Sequence, residues 1–266
     1  ITTVTSGAEA LAALGRERYD LVLVSSNLSD MAPAEFCRAV RAAQPGLPVV
    51  MLLFSEAAAA AMEPGLEQGA DYVFSWQGSA KVLLAIIKLV EDRLNVDRDL
   101  EIARIGVILV VEDSIKQYSV YLPHLYTILM KHAFARVPFG VDENERQLHT
   151  RTRPKVLLAR TFADAAALLE QYKACLHGLI SDMHAAVEGK AAAAACAAFL
   201  RRAAEIVPGL PILLVSADES AGALARSLGI PLLDKRSSMF IRGLERFCSC
   251  LLYTSDAADD LLCVDL

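Results

Sequence analysis

The chain has 266 residues, 55% of them apolar and 6% aromatic, and carries a net charge of −6. That length suits two domains of ordinary size, the acidic balance argues against a nucleic-acid partner, and no apolar run reaches the roughly 18 residues of a membrane-spanning helix. Six Cys at irregular spacing, with no CxxC pair near a His, argue for reduced, mostly core thiols in a cytoplasm rather than a zinc site or a disulfide frame.

In chain order, short β-type runs alternate with longer segments of helical period, the signature of βαβ units and a parallel sheet. The first residue is Ile1, inside a structured pattern with no targeting leader, so the N-terminus reads as truncated. The first pass gives a strand at 19–26 (YDLVLVSS), a helix over 34–43, a strand at 47–54 (LPVVMLLF), a helix near 57–68, a strand at 70–75 and a helix over 79–94. The second pass gives strands at 106–113 (GVILVVED), 154–159 (PKVLLA), 176–182 (LHGLISD), 210–216 (LPILLVS) and 230–235 (IPLLDK). Its helices are expected at 114–134, 162–172, 190–206, 219–228 and from Ser238 onward.

Between the passes, 95–104 (NVDRDLEIAR) reads as a short polar linker holding two domains close together. The loop at 136–153 is longer than such folds need, and its four Arg and one His could take an anionic partner; a solvated insertion is the plainer reading.

An open parallel α/β sheet binds ligands outside the carboxyl ends of its strands, where the strand order switches. In the second pass Glu112 and Asp113 end the first strand, Asp182 the third, Ser216 the fourth and Lys235 the fifth. Three carboxylates converging on one edge repel one another unless a cation lies among them, and all-oxygen ligation suits Mg²⁺. A carboxylate can also act as a nucleophile and form an acyl phosphate, provided a metal and a cation meet the charge on the transferred group. The plainer reading of Asp182 is a loop cap. His177 and His184 lie beside it in sequence and could be read as bases, although loop or packing histidines are the plainer reading.

VILVVEDS with Glu112 and Asp113, GLISDM with Asp182, LLVSA with Ser216 and LLDK with Lys235 resemble the receiver domain of bacterial two-component response regulators over about 105–249. The resemblance implies a flavodoxin-like, doubly wound, five-stranded parallel sheet. It implies that Asp182 is the phosphoacceptor, that Glu112 and Asp113 with Asp182 hold Mg²⁺, and that Ser216 and Lys235 contact the phosphoryl group. The partner it implies is a sensor histidine kinase or phosphotransfer protein, with Ser216 reporting phosphorylation to the surrounding face.

The first pass (1–94) fits the same frame without the chemistry: Ser25 stands at the acceptor position, Leu53 at the hydroxyl position and Trp76 at the lysine position. A hydroxyl supplies neither a ligand charge nor an acyl phosphate, so 1–94 reads as a degenerate receiver used for contact. ITTVTSGAEALAAL resembles the family's second strand and helix, which leaves the first strand missing. Helix 81–94 is apolar on more than one face; packing against the second domain is the modest explanation and a homodimer seam the bolder one. The phrases WQGSAKVLLAIIKLVEDRLNV, VEDSIKQYSVYLPHLYTILMK and RPKVLLARTFADA resemble the tandem-receiver front end of bacterial proteins that continue into a pyruvate- and phosphoenolpyruvate-binding domain.

The tail 250–266 (CLLYTSDAADDLLCVDL) resembles a translated sequencing-library adapter, with a genuine acidic turn as the alternative; without its Asp256, Asp259, Asp260 and Asp265 the net charge moves from −6 to −2. The expectation is a phosphoacceptor signalling module rather than an enzyme, relaying to an output domain outside this chain. The alternative is a pair of unphosphorylated pseudo-receivers forming a structural platform. A small flavodoxin-like enzyme lacks support, because no phosphate-cradling Gly-rich loop follows any first strand.

Overall fold

A computed structural model describes residues 1–55, 69–76, 78–102, 105–135, 153–185 and 190–262, with side-chain surroundings described as far as Leu252. Its elements run α1 (Gly7–Leu14), β1 (Val22–Ser25), α2 (Pro33–Ala43), β2 (Val49–Leu53), β3 (Tyr72–Ser75) and α3 (Lys81–Ile102). Then follow β4 (Val107–Val111), α4 (Ile115–Ala135), β5 (Lys155–Ala159), α5 (Phe162–Tyr172), β6 (Leu176–Asp182), α6 (Lys190–Ile206), β7 (Ile212–Ser216), α7 (Ala221–Leu228), β8 (Leu232–Asp234) and α8 (Phe240–Leu262). The chain divides into two compact units, one of residues 1–90 with 115–120, the other of 91–114 with 121–266.

The second unit holds a five-stranded sheet ordered β5-β4-β6-β7-β8, all parallel. Numbered along the chain that is 2-1-3-4-5, the doubly wound flavodoxin-like order. β4 and β7 are buried along their whole length, because helices cover both faces; such strands read as unbroken apolar runs rather than alternating ones. The core gathers Leu109 and Val111 of β4, Leu179 of β6, Leu214 of β7, Leu169 of α5 and Leu200 of α6. α5 begins where Thr161 accepts a hydrogen bond from the Asp164 N–H at 3.0 Å, which satisfies one of the free donors of a helix start.

The first unit holds a three-stranded parallel sheet, β1-β2-β3. α1 is capped as α5 is: the Ser6 hydroxyl accepts from the Glu9 N–H, and Asp30 accepts from the N–H groups of Gly7 and Ala8 at 2.9 Å each. Residues 1–4, expected to form a strand, form none, because no strand among the described residues reaches them and a lone strand leaves its backbone groups unpaired. The helix expected near 57–68 lies outside the described residues.

Three sequence expectations are corrected. The polar linker is helix as far as Ile102, continuing α3. Asp99 within it, and Asp92 just ahead of it in α3, meet Arg153 and Lys155, with Arg153 Nη2 2.7 Å from Asp92, and Lys155 Nζ 2.6 Å from Asp99 and 3.8 Å from Asp92. Arg153 is therefore buried rather than solvated, although the rest of the 136–153 loop lies outside the described residues. The tail set off at Cys250 still packs for its first turn, since Leu251 and Leu252 of α8 are 4% and 3% exposed. A Cβ on Gly178 would lie 2.6 Å from Leu251 Cδ1, so the strand carrying Asp182 needs glycine where α8 crosses it. Cys37, Cys196 and Cys248 are buried free thiols, as expected of core cysteines, and no helix among the described residues is long and apolar enough to cross a membrane.

Candidate functional site

Because every strand of the second sheet points the same way, the polar strand ends fall on one edge. Glu112 follows β4, pinned there by its N–H to the Ala159 carbonyl at 3.0 Å. Asp182 closes β6 in register with Val215 of β7, and Ser216 pairs with Asp234 of β8. Lys235 follows β8 with its N–H on the Ser216 carbonyl at 3.0 Å. Pairing register alone thus sets four of the five expected residues on neighbouring strand ends, and Asp113 comes with Glu112.

The side chains of Glu112, Asp113 and Asp182 converge: one carboxylate oxygen from each lies within 4.8 Å of the others. Lys235 Nζ sits at 2.5 Å from Glu112 Oε2 and 2.9 Å from Asp182 Oδ1. These groups are buried, Glu112 completely, while Asp113 is half-buried. Burial, the dominant cause, pushes the Glu112 carboxyl up to about 7, with the Asp182 charge adding to the rise and the Lys235 ammonium pulling against it. Glu112 Oε1 also accepts the Ser114 N–H at 3.1 Å. The Tyr121 hydroxyl lies 3.5 Å from Oε2.

The donor set fits a hard divalent cation: three carboxylates, oxygen only, converging on one point. Two of its members already need a positive charge, which Lys235 supplies. Ser216 is buried at the adjacent strand end with its Oγ accepting the Asp218 N–H at 3.0 Å. Its expected neighbourhood with the acids is met at the level of strand ends.

Sequence reasoning missed two features. His184 is a loop histidine, as the sequence reading expects, but its partner was not foreseen: its Nε2 lies 3.3 Å from Asp218 Oδ2, so the loops after β6 and β7 are tied across the strand ends. The signal was there, since each partner stands two residues beyond a site residue on adjacent strands, but adjacency is a tertiary fact. Tyr121 reaches Glu112 from α4 and carries no motif. His177 does follow the packing reading, half-buried beside Gly106, whose added Cβ would fall 1.4 Å from its Nδ1.

In the first unit the three aligned positions also fall at strand ends. Ser25 Oγ accepts the Asn27 N–H at 3.0 Å, Leu53 is buried, and Trp76 lies against Phe54 with ring centroids 6.2 Å apart. Among the described residues that unit has no comparable cluster of acids.

No family model matches the chain, and no curated protein matches it. Among solved structures it is similar to one described as a probable two-component system response regulator/GGDEF domain protein, at 21% identity over 94% of this chain and 86% of that one, with a TM-score of 0.34. A second, described as a putative two-component system response regulator/GGDEF domain protein, is 21% identical over 96% of this chain and 86% of that one, with a TM-score of 0.32.

Proposed function

We propose that the second unit is a receiver module that accepts a phosphoryl group on Asp182, with Mg²⁺ held by Glu112, Asp113 and Asp182. The observation that carries this reading is the convergence of those three carboxylates within 4.8 Å on a strand-end lysine, Lys235, that spans two of them. Asp182 supplies the nucleophilic oxygen: a bond forms from its carboxylate to phosphorus while the donor's P–N or P–O bond breaks, and the leaving imidazole or acyl group keeps the electron pair. The bound cation would neutralise the acids and the charge on the transferred group. Lys235 then serves the oxygens at Asp182, and Ser216, at the end of β7, is the hydroxyl that reports the new group. The donor proposed is a sensor histidine kinase or phosphotransfer protein, and the recipient of the signal is an output domain outside this chain. The first unit, with Ser25, Leu53 and Trp76 at the corresponding places, serves contact rather than chemistry.

The rival reading, a platform that is never phosphorylated, draws on the same lysine, which already balances Glu112 and Asp182 without any ion. Acetyl phosphate with Mg²⁺ separates the two. The receiver reading expects one alkali-labile, hydroxylamine-labile phosphoryl group per chain, lost in Asp182→Asn. Label that persists in Asp182→Asn, or no label on the unaltered chain, would overturn it.

A further inference from the structure

Glu112 is the one member of the acid cluster that water does not reach. Asp113 is half-buried and Asp182 slightly exposed, whereas Glu112 has no exposed surface. Its hydrogen bonds must therefore come from the protein. An ionised carboxylate offers about four acceptor sites. Oε1 takes the Ser114 N–H at 3.1 Å, and Oε2 takes Lys235 Nζ at 2.5 Å with the Tyr121 hydroxyl 3.5 Å away. One lone pair of Oε1 is left for a cation.

The partner on Oε2 is shared. Lys235 Nζ also lies 2.9 Å from Oδ1 of Asp182, the proposed phosphoacceptor, and new phosphoryl oxygens there draw the ammonium away from Glu112. Oε2 then loses its short contact, and burial denies it a water in exchange; a buried charge short of donors is costly. The Tyr121 hydroxyl is a donor within reach. At 3.5 Å it stands outside the roughly 2.5–3.0 Å of an O–H···O bond, so about half an ångström of travel makes one. Its ring is buried and packs on Phe240, with centroids 6.1 Å apart and planes tilted by 57°. Phe240 opens α8, and Lys235 lies in the turn that leads into it: the Ser237 N–H bonds the Asp234 carbonyl and the Phe240 N–H bonds the Ser237 carbonyl, each at 3.0 Å. The two ends of one short turn thus touch the same Glu112–Tyr121 pair, Lys235 at the acid and Phe240 at the ring.

We propose that Tyr121 is a positioning residue for phosphoryl transfer: its hydroxyl closes on Glu112 Oε2 as Lys235 turns to the phosphoryl oxygens, and so holds the buried carboxylate in the orientation that binds the cation. It acts through Glu112 and not on the reacting atoms. The inference rests on the receiver reading of Asp182.

Tyr121→Phe deletes the hydroxyl and keeps the ring on Phe240. Without Mg²⁺ its β4 amides should exchange within about threefold of those of the unaltered chain, because a 3.5 Å contact holds little. Mg²⁺ with beryllofluoride, a phosphoryl mimic, should slow that exchange roughly tenfold less in the variant, the weight of one hydrogen bond to a charged acceptor. Acetyl phosphate with Mg²⁺ should label the variant roughly tenfold more slowly, still once per chain. In the unaltered chain the hydroxyl proton of Tyr121, assigned by its loss in Tyr121→Phe, should move downfield in NMR spectra when beryllofluoride joins Mg²⁺. A purely structural tyrosine would change the metal-free and the loaded chain by the same factor. That result, a hydroxyl resonance unmoved by the mimic, or an unaltered labelling rate would overturn the inference while leaving Asp182 as the acceptor. No label on the unaltered chain would overturn the receiver reading and this inference with it.

Discussion

Replacing Lys235 by Met removes the one cation that spans Glu112 and Asp182 while keeping its volume and its apolar stem. The lysine side chain is 6% exposed, between side chains 0% and 7% exposed. Breaking a buried pair in this way costs about 3–5 kcal/mol, most of it from the charges left behind. The loss should depend on pH through Glu112. In the folded chain its carboxyl titrates at about 7, against an ordinary value of 4.5. Because the folded value is the raised one, the native state binds the extra proton, and stability falls as pH rises from about 4.5 to about 7 and is flat above. At about 1.4 kcal/mol for each pH unit between those two values, this group alone costs the unaltered chain about 3 kcal/mol by pH 8. Lys235 is what holds the value down to 7, so without it the fall continues to higher pH. The variant should therefore lie closer to the unaltered chain at pH 5, where Glu112 is protonated in both, than at pH 8. Exchange of the β4 amides, which open only when that sheet opens, measures the second unit by itself. At one fixed concentration Mg²⁺ should stabilise Lys235→Met more than the unaltered chain; a chain at a hundred times its own dissociation constant gains about 2.7 kcal/mol. Parallel pH profiles in the two chains, or a variant fully stable at pH 8 without Mg²⁺, would refute the reasoning.

Other expectations follow from single groups. Asp92 accepts hydrogen bonds from both terminal nitrogens of Arg153, from Tyr126 and from the Val156 N–H, so Asp92→Asn should destabilise the second unit by about 3–5 kcal/mol in urea unfolding, and a loss within error would show the network to be idle. A chain ending at Ser249 loses Leu251 and Leu252 and should be less stable than the full chain by about 3 kcal/mol or more in urea unfolding; an unchanged midpoint would show their burial to be idle. Mg²⁺ affinity should rise with pH through about 7 as Glu112 loses its proton, and titration calorimetry should show a proton released to the buffer on binding at pH 6 and almost none at pH 8; equal affinities would remove Glu112 from the ligand set. Glu112→Gln should abolish that pH dependence while leaving the fold intact.

The alternation of short β-branched runs with helical periods determined most of this chain by itself. The fold class was legible because a parallel sheet covered on both faces leaves continuous runs such as VILVV and ILLVS, which hardly any other surrounding permits. Glu112, Asp113, Asp182, Ser216 and Lys235 could be placed because, in a parallel sheet, the last residue of every strand meets the same edge. Tertiary structure alone decided the rest. The segment 95–102 looks like a linker by polarity, yet Asp92, Asp99, Arg153 and Lys155 cancel one another only once α3 meets β5, about 60 residues along the chain. Leu251 and Leu252 sit in a run whose composition argues for nothing, yet both are buried, Leu251 over Gly178. His184 and Asp218 are 3.3 Å apart because β6 and β7 are neighbours. Sequence patterns record what each residue needs from its surroundings, burial or water, helix or strand. Which distant charge, methyl group or strand meets that need is settled only when the sheet order brings them together.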